Sequence, residues 1–163
     1  MNVDSVLDEE VWDHVAGMIR AARKMDREMF AARGRSFADE VKLPGHQRAG
    51  LYLWYLLRNA LGGKVGGRVP TDAELARISR DYFARFSALV DADRAAMEDT
   101  FRKVFERAPL KEEISPGGLL VLGLAALGVL YEDPDAELGR MKPHLDRWWR
   151  KHAEKFHSQG LLR

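Results

Sequence analysis

The sequence predicts an all-α fold, a single-domain bundle of about six helices around two buried apolar helices. Residues 114–131 contain no charged side chain, although 31% of the chain is charged. Along most of the remaining chain, apolar residues recur three and four positions apart, which is the spacing of amphipathic helices. No segment alternates apolar and polar residues with period two, so we expect no sheet.

Length and composition limit the possible classes of protein and the kinds of site that this chain can contain. The 163 residues are enough to bury one substantial core, so we interpret residues 1–163 as one domain, with a flexible glycine-rich connector at 62–70. The absence of cysteine excludes disulfides, zinc–thiolate sites, iron–sulfur clusters and thiol nucleophiles. The amino-terminal residues lack the basic and apolar regions of a signal peptide, so we expect a cytoplasmic protein. Abundant arginine and alanine suggest a GC-rich bacterial genome.

The uncharged run predicts one of the two buried helices. A membrane-spanning helix needs about 20 predominantly apolar residues, whereas only residues 119–130 are densely apolar. In a globular protein, a helix that is apolar on all sides is surrounded by other helices. We therefore expect a central helix of the bundle, capped by Ser115 and Pro116, and no membrane insertion.

One long amphipathic helix is predicted near the amino terminus. Ser5 and Asp8 can form a capping box, and Gly34 can end the helix in the left-handed conformation. Residues 36–42 are expected to add a short helical turn. The apolar stripe is long enough for coiled-coil-like packing, within the domain or between subunits. It contains Val11, Val15, Met18, Ala22, Met25 and Met29.

The second long helix is predicted to begin at Pro44 and to end at Gly62 and Gly63. Residues 51–57 leave no polar face over two turns, so this helix is also expected in the core.

Capping residues predict the remaining helices. Thr71 and Glu74 form a capping box for a helix that stops near Asp91. Residues 91–93 then offer a cap for a helix that ends before Pro109.

The last helix is predicted to be capped by Asp133 and Pro134 and to run to about Ser158. Because proline removes a backbone hydrogen bond, we expect this helix to kink or restart at Pro143.

The start of the second long helix carries the most suggestive group of side chains. A helix amino terminus offers free backbone N–H groups and partial positive charge, to which His46, Gln47 and Arg48 add side-chain donors. These donors suit a carboxylate or phosphate, and Tyr55 and Arg58 lie deeper along the same helix. The structural alternative is that Arg58 pairs with an acid at the edge of the core while Arg48 lies at the surface.

The carboxy-terminal segment 142–157 interleaves bases with aromatic residues, as nucleic-acid-binding surfaces often do. At helical spacing, however, the aromatic residues form a packing stripe, so we favour packing over nucleic-acid binding. If one chain cannot bury both Trp148 and Trp149, a dimer contact would explain them. The bases that nucleic acid would use, and that packing would place outward, are Arg147, Arg150, Lys151 and Lys155.

Neither a metal site nor a cofactor is expected. Glu10 and His14 lie four residues apart, and His152 and His157 five, but neither pair belongs to a metal-binding motif. Neither a nucleophile elbow nor a phosphate-binding loop is present, so we name no catalytic residue.

These observations favour a small cytosolic, non-enzymatic binding or regulatory protein that acts through protein–protein contacts. The expected partner is a second copy, in a homodimer, or another protein. The first alternative is a nucleic-acid-binding protein that uses the basic carboxy-terminal helix. The second is a small-molecule sensor or enzyme that binds an anion at the start of the second long helix.

Overall fold

The computed structural model describes residues 6–105, 118–160 and 162. Within these residues it contains seven α-helices and no strand, so the all-α prediction is confirmed. The helices in chain order are α1 (Glu9–Arg23), α2 (Arg27–Glu40), α3 (Leu43–Gly63), α4 (Asp72–Leu89), α5 (Arg94–Lys103), α6 (Leu119–Leu130) and α7 (Pro134–Ser158).

The long amino-terminal helix predicted to reach Gly34 is two helices, so that prediction is wrong. The chain turns at Met25, whose φ of 58° lies in the left-handed region. Asp26 caps α2, and its side chain accepts a hydrogen bond from the backbone N–H of Met29 at 3.0 Å. An aspartate can compete with the helix for backbone hydrogen bonds in this way. The separate turn predicted over 36–42 is also wrong, because α2 continues to Glu40.

α1 begins directly after Asp8, whose side chain accepts a hydrogen bond from the backbone N–H of Val11 at 3.2 Å. Ser5, the other half of the predicted capping box, lies outside the described residues. The apolar stripe of α1 packs against α6 inside the same chain. Of the residues predicted to form it, Val11, Val15, Met18 and Ala22 are buried, whereas Met25 and Met29 are 36% and 39% exposed.

α6 is a central helix, as the uncharged run predicts. It packs mainly against α1 and α3 and also contacts α4 and α5. Glycines allow two of these close approaches. A Cβ atom on Gly128 would lie 3.0 Å from the Ile19 carbonyl oxygen, and one on Gly123 would lie 3.0 Å from Cγ of Leu53. The predicted cap residues Ser115 and Pro116 lie outside the described part of the chain.

With 12 residues, α6 is the most apolar helix of the chain but a short one. In the part of the chain that the structure covers, no helix has both the length and the apolar character to cross a membrane.

α3 is the second buried helix, and its predicted end at Gly62 and Gly63 is confirmed. The side chains of Tyr52, Leu56 and Leu57 along its middle are fully buried. Trp54 and Tyr55 are only half-buried, so one edge of α3 reaches the surface.

The glycine-rich connector folds as a closed turn. Gly66 and Gly67 have φ values of 77° and 86°, which residues other than glycine adopt only with strain. The backbone N–H of Gly67 donates to the Gly62 carbonyl oxygen at 2.8 Å. Arg68 then donates to the Glu74 carboxylate at 2.6 Å, which ties the connector to α4. Its flexibility stays a prediction.

The predicted cap of α4 is confirmed. Thr71 accepts a hydrogen bond from the Glu74 backbone, and the Glu74 carboxylate accepts one from the Thr71 backbone, which completes a capping box. Asp93 caps α5. The structure ends α5 at Lys103, earlier than predicted, and the predicted stop at Pro109 lies outside the described residues.

α7 begins after its predicted cap, Asp133, and runs without a restart through Pro143 to Ser158. Pro143 lacks the N–H that would bond to the Gly139 carbonyl one turn earlier. Both residues are exposed, so water can bind that carbonyl and the helix continues.

Candidate functional site

The predicted anion site at the start of α3 already contains an anion from the chain itself. The Arg48 guanidinium lies 3.4 Å from the Asp8 carboxylate, and both side chains are partly buried. One turn further along α3, the Tyr52 hydroxyl accepts a hydrogen bond from the backbone N–H of Asp8 at 3.0 Å. Burial raises the pKa of Tyr52 far above its ordinary value, which keeps the hydroxyl neutral. A phosphate or carboxylate at Arg48 would therefore compete with Asp8.

His46 and Gly45 face the core at this end of α3. The ring of buried His46 packs against Phe37, with 4.7 Å between the ring centres, and its Nε2 atom has no hydrogen-bond partner within the described residues. A Cβ atom on Gly45 would lie 3.2 Å from Cγ2 of Val11 and nearer still to Val41. The glycine thus allows close helix packing. Gln47 is half-buried.

Arg58 lies in a different environment from Arg48. Its guanidinium carbon is 4.8 Å from the centre of the Trp54 ring and 5.5 Å from the centre of the Phe105 ring. It also donates a hydrogen bond of 3.4 Å to the Val104 carbonyl oxygen. We predicted an acidic partner as the structural alternative, but the aromatic rings and the carbonyl supply the favourable electrostatic contacts instead.

Tyr55 and Arg58 belong to a partly exposed group of rings where α3 meets α7. We call this group the α3–α7 aromatic surface. Its members are all half-buried, and they are Trp54, Tyr55, Arg58, Phe105, Trp148 and His152.

Trp148 is the centre of the α3–α7 aromatic surface. Its ring stacks on Trp54 at 5.9 Å and lies 4.7 Å from Tyr55, measured between ring centres. On α7 itself, the ring of His152 lies 5.7 Å away. Burial raises the pKa of Tyr55, while the nearby Arg147 guanidinium acts to lower it. The rings therefore pack against one another at the surface.

The two adjacent tryptophans of α7 have different environments. Trp149 is fully buried and makes an edge contact with Tyr52, with 5.0 Å between ring centres. Trp148 is half-buried. One chain therefore covers Trp149 completely, and only Trp148 offers a surface for the dimer contact that we considered.

The four bases of α7 that nucleic acid would use point outward, which is where the packing interpretation places them. Arg147 contacts the His144 ring nitrogen at 2.7 Å, and Arg150 donates to Asp146 at 3.0 Å. All four candidate bases, Arg147, Arg150, Lys151 and Lys155, are exposed.

Two adjoining depressions of about 380 and 370 Å³ lie at the carboxy-terminal end of α3 and share Asn59, Gly63 and Arg140. Arg140 pairs with Glu137 at 2.7 Å, so its charge is already balanced. Tyr131 lies in the wall, and burial raises its pKa far above the ordinary value. The side chains described here do not distinguish the two depressions from the rest of the surface, so we assign no binding site to them.

Metal-ligand geometry is missing from the described ranges, in which no three His, Asp or Glu side chains converge as a metal would require. His14 lies 3.5 Å from Glu40, so its acidic neighbour is on α2. Glu10, the partner that the sequence spacing suggested, is exposed.

Sequence reasoning placed Tyr55 and Arg58 near a ligand but missed the rings that hold Arg58. The four-residue spacing of Trp54 and Arg58 on a helix is a signal that could have identified the first of these contacts. Phe105 reaches Arg58 only through the packing of α5 against α3, which no local pattern encodes. The chain matches no protein-family model, no curated protein and no solved structure.

Proposed function

We propose that this chain is a non-enzymatic binding protein that acts through protein–protein contacts, and that the α3–α7 aromatic surface is its contact site. The observation that carries the proposal is the half-buried Trp148 ring at the surface, which stacks on Trp54 and packs against Tyr55. Tryptophan, tyrosine and arginine are the residue types that most often dominate the binding energy of protein interfaces.

The mutual packing of the rings on this surface supports the proposal. A side chain that a partner must immobilise loses conformational entropy, which weakens binding. Here the neighbouring rings already fix Trp148, and two rings already fix Arg58. A partner would therefore gain contact area at little entropic cost.

The charges around the rings favour an acidic partner. Arg147 lies close enough to Tyr55 to affect its pKa, and Lys151 is exposed on the same helix, one turn after Arg147. In a two-fold dimer these bases would approach their own copies. We therefore favour another protein with acidic groups around an apolar centre, and the homodimer is the second choice. The lack of cysteine fits our expectation of a cytosolic location.

To test this, a photo-crosslinking amino acid replaces Lys151, beside the rings, in one variant. In a second variant, the control, it replaces Arg77. Arg77 is also exposed but lies on α4. In cells that naturally produce the protein, we expect the probe at Lys151 to capture a protein that the probe at Arg77 does not. The purified partner should then bind Trp148→Ala much more weakly than Trp148→Phe, which keeps an aromatic ring.

Light scattering of the purified chain identifies the class of partner. A mass of twice 18.5 kDa at micromolar concentration would make the partner a second copy. A mass of 18.5 kDa leaves the partner a different protein. Equal capture at Lys151 and Arg77, or equal binding by both Trp148 variants, would refute this contact site.

A further inference from the structure

A separate groove lies between α2 and parts of α1, α4 and α6. Its volume of about 440 Å³ falls within the range of small-molecule sites, about 300–1,000 Å³. Met18, Phe30 and Leu89 line it and are themselves buried, so its inner surface is apolar. We call it the α2 groove. It shares no residue with the α3–α7 aromatic surface, so the two sites can be tested independently.

Small residues on α2 leave the α2 groove open. Ala31, Gly34 and Ala38 lie three and four positions apart on this helix and line the groove. A Cβ atom on Gly34 would meet Cε of Met18 at 3.4 Å, which is an ordinary van der Waals contact. A larger side chain at position 34 would therefore enter the groove without displacing the backbone.

Among the described residues, the charges on the α2 groove are of one sign. Arg27 and Arg35 line it, and no acidic residue of the described ranges does. Arg27 already donates to Asp91 at 2.7 Å. Arg35 is exposed and has no hydrogen bond or ion pair with another described residue. An apolar surface beside an exposed guanidinium is complementary to a ligand with an apolar body and one anionic end.

We propose that the α2 groove binds a monocarboxylate with an apolar tail, of the class of medium-chain fatty acids. The tail lies over the half-buried Val90 and Val121, next to Met18, where burial removes its hydrocarbon from water. The carboxylate pairs with Arg35, whose planar guanidinium can donate two parallel hydrogen bonds to it. This inference does not depend on the proposed protein–protein contact.

Methionine methyl NMR can locate the ligand directly, with octanoate as the probe. Met18 lies in the α2 groove, whereas Met97 and Met141 are buried elsewhere. On titration with octanoate we expect the Met18 methyl signal to shift in a saturable way while those of Met97 and Met141 stay in place. Octanol, which lacks the charge, should bind about tenfold more weakly, as expected when a charge-assisted hydrogen bond is lost.

Matched variants distinguish the contribution of the Arg35 charge to binding from that of the space in the α2 groove. Arg35→Gln should weaken octanoate binding about tenfold and leave octanol binding unchanged. Arg33→Gln removes an exposed charge from the same helix, outside the groove, and should change neither. Gly34→Leu should abolish binding of both ligands, whereas Gly139→Leu, at an open position on α7, should not.

Ala38→Leu serves as a second blocking variant at an exposed position of the groove, in case Gly34→Leu does not fold. A Met18 methyl signal that does not respond to millimolar octanoate would overturn the proposal. Equal effects of Arg35→Gln and Arg33→Gln would do so as well, because the carboxylate would then not recognise Arg35.

Discussion

The Tyr52 hydroxyl in the middle of α3 accepts a hydrogen bond from the backbone N–H of Asp8, the residue that caps α1, at 3.0 Å. The two residues are 44 positions apart in the chain. A single buried hydroxyl therefore links the start of α1 to α3, and the Arg48 guanidinium beside Asp8 adds a second contact between them.

We expect Tyr52→Phe to lower the free energy of unfolding by about 1 kcal/mol, because a hydrogen bond is lost at a buried site. Denaturant unfolding followed by circular dichroism measures the change. Tyr55→Phe is the control, since no hydrogen bond of the Tyr55 hydroxyl is present within the described residues. It should change the free energy by less than about 0.5 kcal/mol. Equal losses in the two variants would mean that the bond to Asp8 adds no stability.

The approach of α6 to α1 gives a second prediction. A Cβ atom on Gly128 would come too close to the α1 backbone at Ile19, so we expect Gly128→Ala to destabilise the domain by about 1–3 kcal/mol. Gly139→Ala makes the same chemical change at an exposed helical position with no atom within 4 Å. It should be neutral or stabilising by up to about 1 kcal/mol. Thermal unfolding of both variants tests the pair, and a stable Gly128→Ala protein would contradict the close packing.

The pair of Arg68 and Glu74 predicts a dependence of stability on pH. Hydrogen bonds from Arg68 and from the Thr71 backbone lower the pKa of Glu74 from 4.5 to about 2 in the folded chain. In the unfolded chain the carboxyl group regains its ordinary pKa and binds a proton more readily. The stabilisation from Glu74 is therefore complete above pH 4.5 and is lost as the pH falls towards 2.

The measurement is the difference in unfolding free energy between the wild type and Glu74→Gln at a series of pH values. We expect this difference to shrink between pH 4.5 and 2. The control pair, wild type and Glu154→Gln at an exposed position of α7, should show a constant difference. A Glu74→Gln difference that does not vary with pH would show that Arg68 does not hold this carboxylate in solution.

The exposed bases of α7 make the nucleic-acid alternative testable. We expect binding to random duplex DNA no tighter than about micromolar at physiological salt, the level of non-specific association. Fluorescence anisotropy over a range of salt concentrations measures it. A nanomolar complex that weakens with salt, and that is lost when Arg147, Arg150 and Lys151 are changed to Glu, would make nucleic acid the partner.

The sequence is most informative where every face of a helix is apolar, as in α6 and the middle of α3. A helix of this kind packs mostly in the core, so the central positions of α6 and α3 follow from composition, although one edge of α3 reaches the surface. The break at Met25 could not be found in the same way, because the apolar spacing continues across it. There the cap formed by Asp26 outweighs the periodicity.

The candidate site was less predictable than the fold. Arg48 and Arg58 both stood out as polar residues on a buried helix, but their partners come from distant parts of the chain. Asp8 reaches Arg48 from the cap of α1, and Phe105 reaches Arg58 from beyond the end of α5. Such pairs depend on how helices pack, and one sequence without its fold does not specify that.

The position of α6 in the chain has a consequence for synthesis. The apolar face of α1 packs on α6, yet the two helices are separated by about a hundred residues. Translation proceeds at about 5–20 residues per second, so α6 is synthesised on the order of 5–20 s after α1. Throughout that interval the part of the α1 surface that packs on α6 stays uncovered in the nascent chain. Its yield should therefore depend on chaperones that hold nascent chains, even though the finished domain covers that face completely.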